Sequence, residues 1–219
     1  EHAELSRAEP GNLRFDLAQT ENPMIFGLDE LYADEDAFQA HRTRLHESRW
    51  GAESHGITRD FHRREIMPQL RAEMRHDHQP VSDLLTRAFG GPAEAQLVDM
   101  LRRDGHLALS LVAEAAGTVI GHVALSPVVA DIPALALAPV AVHPAMQGRG
   151  IGAALIRAAM SAFADHAIIV LGEPEYYARF SFAPVDLTSP YAGPYLQGTG
   201  CERLPPGSRI AHAPAFSMI

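Results

Sequence analysis

The stretch from Leu135 to Gly152 restricts this chain more than any other. The extended apolar run Leu135 to Val142 leads through His143-Pro144-Ala145-Met146 into Gln147-Gly148-Arg149-Gly150-Ile151-Gly152. Ile151, Leu155, Ala158 and Ala162 then fall on one helical face, and Ile156, Met160 and Phe163 on another. This periodicity predicts a largely buried helix from Ile151 to Phe163. A strand, a glycine turn and a helix in that order gather backbone N–H groups at a helix N-terminus, where the peptide dipoles favour an anion. The pattern predicts a pyrophosphate site formed by Gly148, Arg149, Gly150, Ile151, Gly152 and Ala153, with the Arg149 charge at its rim.

Two families of ligand use such a loop. Gly148-x-Gly150-x-x-Ala153 fits the loose dinucleotide pattern G-x-G-x-x-G/A, and Glu173 follows the next strand. A dinucleotide loop begins where its strand stops, whereas here His143 to Gln147 intervene, and no second βαβ half is visible. The other pattern is Q-x-x-G-x-G, met by Gln147, Gly150 and Gly152 and preceded by Val140-Ala141-Val142-His143-Pro144. It resembles the acyl-CoA loop of the GNAT N-acetyltransferase superfamily. Downstream, Glu175-Tyr176-Tyr177-Ala178-Arg179-Phe180-Ser181-Phe182 resembles the Tyr-Tyr-x-x-Phe-Gly-Phe segment found late in GNAT domains, with Ser181 where the family has glycine. The resemblance spans Gln69 to Phe216.

The resemblance implies acetyl-CoA as cosubstrate and an amine as acceptor. It implies that the backbone of Val140, Ala141 and Val142 aligns the pantetheine where strands 135–142 and 167–171 splay apart. It places Tyr177 near the CoA sulfur, as general acid for the departing thiolate. A tyrosine of pKa about 10 stays protonated at neutral pH and lies near enough to a thiol of about 8.5 for transfer. The base that deprotonates the amine is not singled out: Glu94, His122, Ser126 and Glu173 are candidates, and each has a purely structural alternative. For Tyr177, and for Tyr176 beside it, the alternative to a catalytic role is packing alone. Turnover is one function; an acyl-CoA sensor without turnover is the other.

Composition narrows the setting. The net charge is −9 over 219 residues, which argues against nucleic acid as a general partner. All 18 lysine-plus-arginine positions are arginine, so such an enzyme has no side-chain lysine of its own to acetylate. No run approaches the roughly 20 apolar residues of a membrane span, and no signal-peptide pattern opens the chain. Cys201 is the one cysteine, so no internal disulfide forms, and a cytoplasmic setting is expected. The histidines lack the i, i+4 spacing of a zinc helix, and no metal site is expected.

The first third reads separately. Asn12 to Gln19 alternates as a strand, Thr20 to Pro23 is a turn, and Met24 to Tyr32 is a second strand. Ala33-Asp34-Glu35-Asp36 opens a helix expected to reach about Trp50, and Ile57 to Glu65 is a third strand candidate. Glu9 to Asp16 and Glu30 to His41 resemble the small, usually dimeric, ferredoxin-like domains of the antibiotic biosynthesis monooxygenase family. The match covers residues 4–66 and lacks that family's first strand and first helix. An incomplete sheet has an open edge, to be closed by a partner chain, the second domain or residues upstream. A homodimerisation platform is the expected role. Cofactor-independent oxygenase chemistry is the alternative. The expected fold class is α+β: a partial ferredoxin-like module over 1–66 and a GNAT-fold mixed sheet flanked by helices over 67–219.

Overall fold

The computed structural model describes residues Glu1–Ile219. Two compact units change over at Met67–Pro68, apart from the three residues Pro144–Met146. The first unit contains α1 (His2–Arg7), β1 (Asn12–Gln19), β2 (Phe26–Tyr32), α2 (Glu35–Glu47) and α3 (Arg49–Glu53). β1 and β2 form an antiparallel hairpin, with Leu17 opposite Leu28 and Gln19 opposite Phe26. Asp34 caps α2, its Oδ1 accepting from Ala37 N at 2.8 Å. At the centre lies His41, 3% exposed. Its Nδ1 is 2.9 Å from a Glu9 carboxylate oxygen, and its ring packs on Phe15 and Tyr32.

Three expectations for this unit change. The helix meant to reach Trp50 stops at Glu47, and Ser48 turns extended and caps α3. Gly51 makes the break possible, because a Cβ there would lie 2.2 Å from the Leu45 carbonyl. A helix, α1, is present where the resemblance left the first helix out. Ile57 to Glu65 forms no strand. Ile57 and Phe61 are exposed, so the segment has no buried face to hold it as a strand. The helix–strand–strand–helix order is the middle of a ferredoxin-like unit without its two outer strands.

The second unit contains β3 (Gln69–Ala72), α4 (His78–Phe89), α5 (Ala93–Arg103), β4 (Leu109–Ala115), β5 (Thr118–Val128), β6 (Ala134–Val142), α6 (Ile151–Ala162), β7 (Ala167–Leu171), α7 (Pro174–Tyr177), β8 (Ala183–Pro184), β9 (Leu187–Thr188), β10 (Leu196–Thr199) and β11 (Ser208–Arg209). A seven-stranded mixed sheet runs β3-β4-β5-β6-β7-β10-β8. Its one parallel neighbour pair is β6 with β7, joined by the crossover through α6. The β4–β5 turn places both Ala116 (φ 49) and Gly117 (φ 82) in the left-handed region, the requirement of a two-residue type I′ hairpin. β11 lies outside the main sheet. It pairs in parallel with β9 in a separate ribbon, and the short β8 takes the sheet edge beside β10.

Helices cover both faces of the sheet. On one face, Val81, Leu84 and Leu85 of α4 and Ala95 and Val98 of α5 pack with Val112 and Ala141. On the other, α6 lies so close to β5 that a Cβ on Gly121 would meet Ile151 and Leu155 at 3.0 Å. Ile151, Leu155, Ile156 and Ala159 are its buried residues. The helix therefore buries one stripe, narrower than its apolar composition predicts, and Ala162 is exposed. The architecture is α+β. No helix is long and apolar enough to cross a membrane.

Candidate active site

β6 and β7 are paired only from Ala134–Ala167 to Ala136–Ile169. Beyond that point β6 continues to Val142 and β7 to Leu171 with no pairing between them. A bulge starts the divergence. Between Val123↔Val140 and Leu125↔Leu137 three steps of β6 match two of β5, and an extra residue bends the strand that carries it. Past the bulge, His143 N donates to Ile120 O on β5 at 2.9 Å. Backbone direction alternates along a strand, so Ala141 also turns its peptide groups towards β5. Val140 and Val142 turn theirs into the gap. The Val142 carbonyl accepts from Gln147 Nε2 at 3.2 Å, in agreement with that direction.

The glycine loop closes one end of the gap. Gly148 (φ 75) and Gly150 (φ 83) are left-handed, and a Cβ on either would meet nothing within 4 Å. Their glycine character serves conformation, and the space above them is open. Gly150 caps α6, and the first rung of the helical ladder is Ala154 N to Gly150 O at 2.9 Å. The N–H groups of Ile151, Gly152 and Ala153 thus belong to the first turn, which has no intrahelical acceptors. Arg149 is exposed beside them. His143, at the entrance to the loop, is buried, and its Nε2 lies 2.8 Å from Arg87 of α4. Burial first, and then the Arg87 charge, push its pKa down to about 4. The ring is neutral at pH 7 and accepts from Arg87.

The tyrosine segment borders the other side. The Tyr177 ring lies against Gly172 at the end of β7, 2.4 Å from where a Cβ would stand. It meets Phe182 edge-on at 5.6 Å. Burial, and secondarily Tyr176, push its pKa up to about 12. Tyr176 points towards α6 instead, its hydroxyl 3.1 Å from the Cβ position of Gly152. Ser181 has φ 64 and ψ 22; it adopts the left-handed conformation that a glycine would take without strain.

The base candidates divide. Glu94 sits in the first turn of α5 and Glu173 is the exposed N-cap of α7. His122 and Ser126 are fully buried on β5. Ser110 donates its hydroxyl to Glu73, so the 2.9 Å contact from Ser110 Oγ to His122 Nε2 requires the ring to be the donor there. His122 then carries its proton on Nε2, and its Nδ1 is buried without a partner. Arg102 donates to the other Glu73 oxygen at 2.5 Å. Sequence reasoning missed this Glu73–Ser110–His122–Arg102 network and the Arg87–His143 pair. Their members come from separate elements, and no spacing links them.

Comparison with known proteins agrees with this geometry. Residues 78–179 match the Acetyltransferase (GNAT) family. The uncharacterized N-acetyltransferase YhbS of Escherichia coli strain K12 is 39% identical over 120 residues, covering 52% of this chain and 72% of that protein. The chain belongs to the GNAT family. A second E. coli K12 relative, the uncharacterized N-acetyltransferase YjhQ, is 36% identical over 129 residues, 54% of this chain and 71% of that one. The crystal structure of a GNAT acetyltransferase from Brucella melitensis in complex with acetyl-CoA superposes with a TM-score of 0.60 at 32% identity. It covers 68% of this chain and 98% of that one. E. coli YhbS in complex with CoA gives a TM-score of 0.64 at 28% identity, over 72% and 96%. Residues 1–52 match the antibiotic biosynthesis monooxygenase family.

Proposed function

We propose that the chain transfers an acetyl group from acetyl-CoA to an amine. The observation that carries the reading is the gap between β6 and β7, which ends at a glycine loop opening α6. Val140 and Val142 turn peptide groups into the gap to align the pantetheine, while Ala141 between them packs under α4 and α5. The N–H groups from Gly148 to Ala153 hold the pyrophosphate, with Arg149 adding charge at the rim. The fit is supported by the open space over Gly148 and Gly150.

Bound acetyl-CoA supplies an acyl carbon on a thioester, open to a neutral amine. As the C–N bond forms the C–S bond breaks; the amine gives up a proton and the sulfur gains one. Tyr177, held over Gly172, donates towards the sulfur. With its pKa raised to about 12, it acts more as a hydrogen-bond donor to a developing thiolate than as a free proton source. The acceptor is an amine of a small molecule or peptide. Two tests follow. Gly150→Glu blocks the left-handed turn and brings negative charge to the loop, so calorimetry on the folded variant should show CoA binding lost. CoA should also bind far more tightly than NADH, and the reverse would restore the dinucleotide reading. Acetyl-CoA consumption with an amine panel separates turnover from sensing.

The domain reading belongs to the same proposal: residues 1–66 form a platform for homodimerisation, and residues 67–219 the GNAT domain. The platform is supported by the exposed apolar residues of the β1–β2 hairpin, Leu17, Ile25, Phe26 and Leu28. The alternative, oxygenase chemistry in this module, is favoured only by the family match of residues 1–52. A single free cysteine, Cys201, suits the cytoplasm.

A further inference from the structure

Tyr176 and Tyr177 are adjacent, yet they face different parts of the fold. Tyr177 lies on the end of β7, whereas Tyr176 reaches the first turn of α6. Gly152 is the second residue of that helix. It has no left-handed φ, so its lack of a side chain serves space alone. A Cβ there would meet Tyr176 Oη at 3.1 Å and Val142 Cγ2 at 3.4 Å. The last glycine of Gln147-x-x-Gly150-x-Gly152 therefore makes room for a phenolic hydroxyl at the helix N-terminus.

The ring is held on several sides. The Arg179 guanidinium stacks over it, 3.9 Å from the centroid, and Arg179 Nε donates to the Tyr176 carbonyl at 3.0 Å. Tyr177 meets it edge-on at 5.0 Å, and Phe180 lies at 5.8 Å. A ring fixed this way aims one O–H at the turn whose own N–H groups lack intrahelical acceptors. The Arg179 cation stands over the ring face.

We propose that Tyr176 is a binding residue for the phosphorylated end of CoA. Its hydroxyl donates to a pyrophosphate oxygen beside the peptide N–H groups of α6, and Arg179 keeps the ring in that direction. This inference rests on the reading that the N-terminus of α6 takes the pyrophosphate. Tyr176 and Tyr177 then divide the work: one selects the nucleotide end of the cosubstrate, the other serves the sulfur.

The test compares two ligands on one variant. Tyr176→Phe removes only the hydroxyl and keeps the stacked ring. CoA carries the pyrophosphate and pantetheine does not. Calorimetry with both should show CoA affinity falling about tenfold in Tyr176→Phe, the range of a hydrogen bond to a charged group, with pantetheine affinity unchanged. A partly unfolded variant would lose both ligands equally, so the ratio of the two affinities isolates the hydroxyl. An unchanged CoA-to-pantetheine ratio in Tyr176→Phe overturns the proposal while leaving the pyrophosphate site standing. A wild-type protein that binds CoA no more tightly than pantetheine removes the pyrophosphate site, and the proposal with it.

Discussion

Ser181 occupies a position whose backbone favours glycine. Its φ of 64 costs an L-residue about 1–2 kcal/mol. Part of that is returned by the greater freedom of glycine in the unfolded chain. Ser181→Gly should therefore stabilise the protein by about 0.5–1 kcal/mol. A urea midpoint that rises at constant slope is the expected result; a midpoint that stays or falls means the serine hydroxyl offsets the strain. Tyr177 carries a second prediction. With its pKa pushed up to about 12, the hydroxyl keeps its proton from pH 7 to 10, where an ordinary tyrosine near 10 would begin to lose it. Turnover at saturating amine should show no Tyr177-dependent fall up to about pH 10. Tyr177→Phe should lower kcat by about 10²-fold or more with little change in acetyl-CoA affinity. Full kcat in Tyr177→Phe would remove its role. The tyrosine was legible from its distance to the Phe-x-Phe end of the segment; its burial against Gly172 was not, because that contact joins α7 to the end of β7.

At the scale of elements, β3, β4 and the start of α4 are joined by charge. Arg71 of β3 donates to both Asp77 oxygens at 2.5 and 2.9 Å, and through Nε to Glu114 of β4 at 2.8 Å. The Asp77 side chain is 2% exposed. Arg71→Ala would leave a buried carboxylate uncompensated, and a loss of about 3 kcal/mol is expected in urea unfolding at pH 7. The same pair governs acid stability. The Arg71 hydrogen bonds hold Asp77 at about 2 against the opposing effect of burial. Burial raises Glu73, but His122, Ser110 and the Arg102 charge outweigh it and bring it to about 2. Both folded pKa values lie below the unfolded ones. The stability they contribute is present above about pH 4 and lost as pH falls from about 4 towards 2. Unfolding followed between pH 5 and 2.5 should show this slope, shallower in Arg71→Ala. Equal slopes in the two proteins would contradict it.

For the whole molecule, the first unit carries the prediction of assembly. Leu17 and Leu28 face each other across the β1–β2 hairpin and stay exposed, as do Ile25 and Phe26 beside its turn. A two-stranded hairpin is marginal by itself, and an open edge invites pairing with a second chain. Light scattering on the full chain should therefore give a dimer, and a fragment of residues 67–219 should scatter as a smaller species that still binds CoA. A monomeric full chain refutes the platform.

Local signals determined much of this protein. The order of strand, glycine loop and helix, the two helices α4 and α5, and the hairpin turn at Ala116-Gly117 are all short-range. Each follows from periodicity, capping or the sign of φ within a few residues. Ile57 to Glu65 shows the limit of that reading: a strand candidate becomes a strand only where a neighbouring strand and a buried face exist, and neither is present. The tertiary structure alone decided the rest. Which backbone groups face the gap depends on the β5–β6 register and its bulge; which tyrosine faces which glycine depends on the packing of α7 against β7 and α6. The polar networks around Glu73 and His143 depend on side chains brought together from distant elements. Hydrogen bonds of that kind are set by where elements meet, and no one-dimensional spacing encodes the meeting.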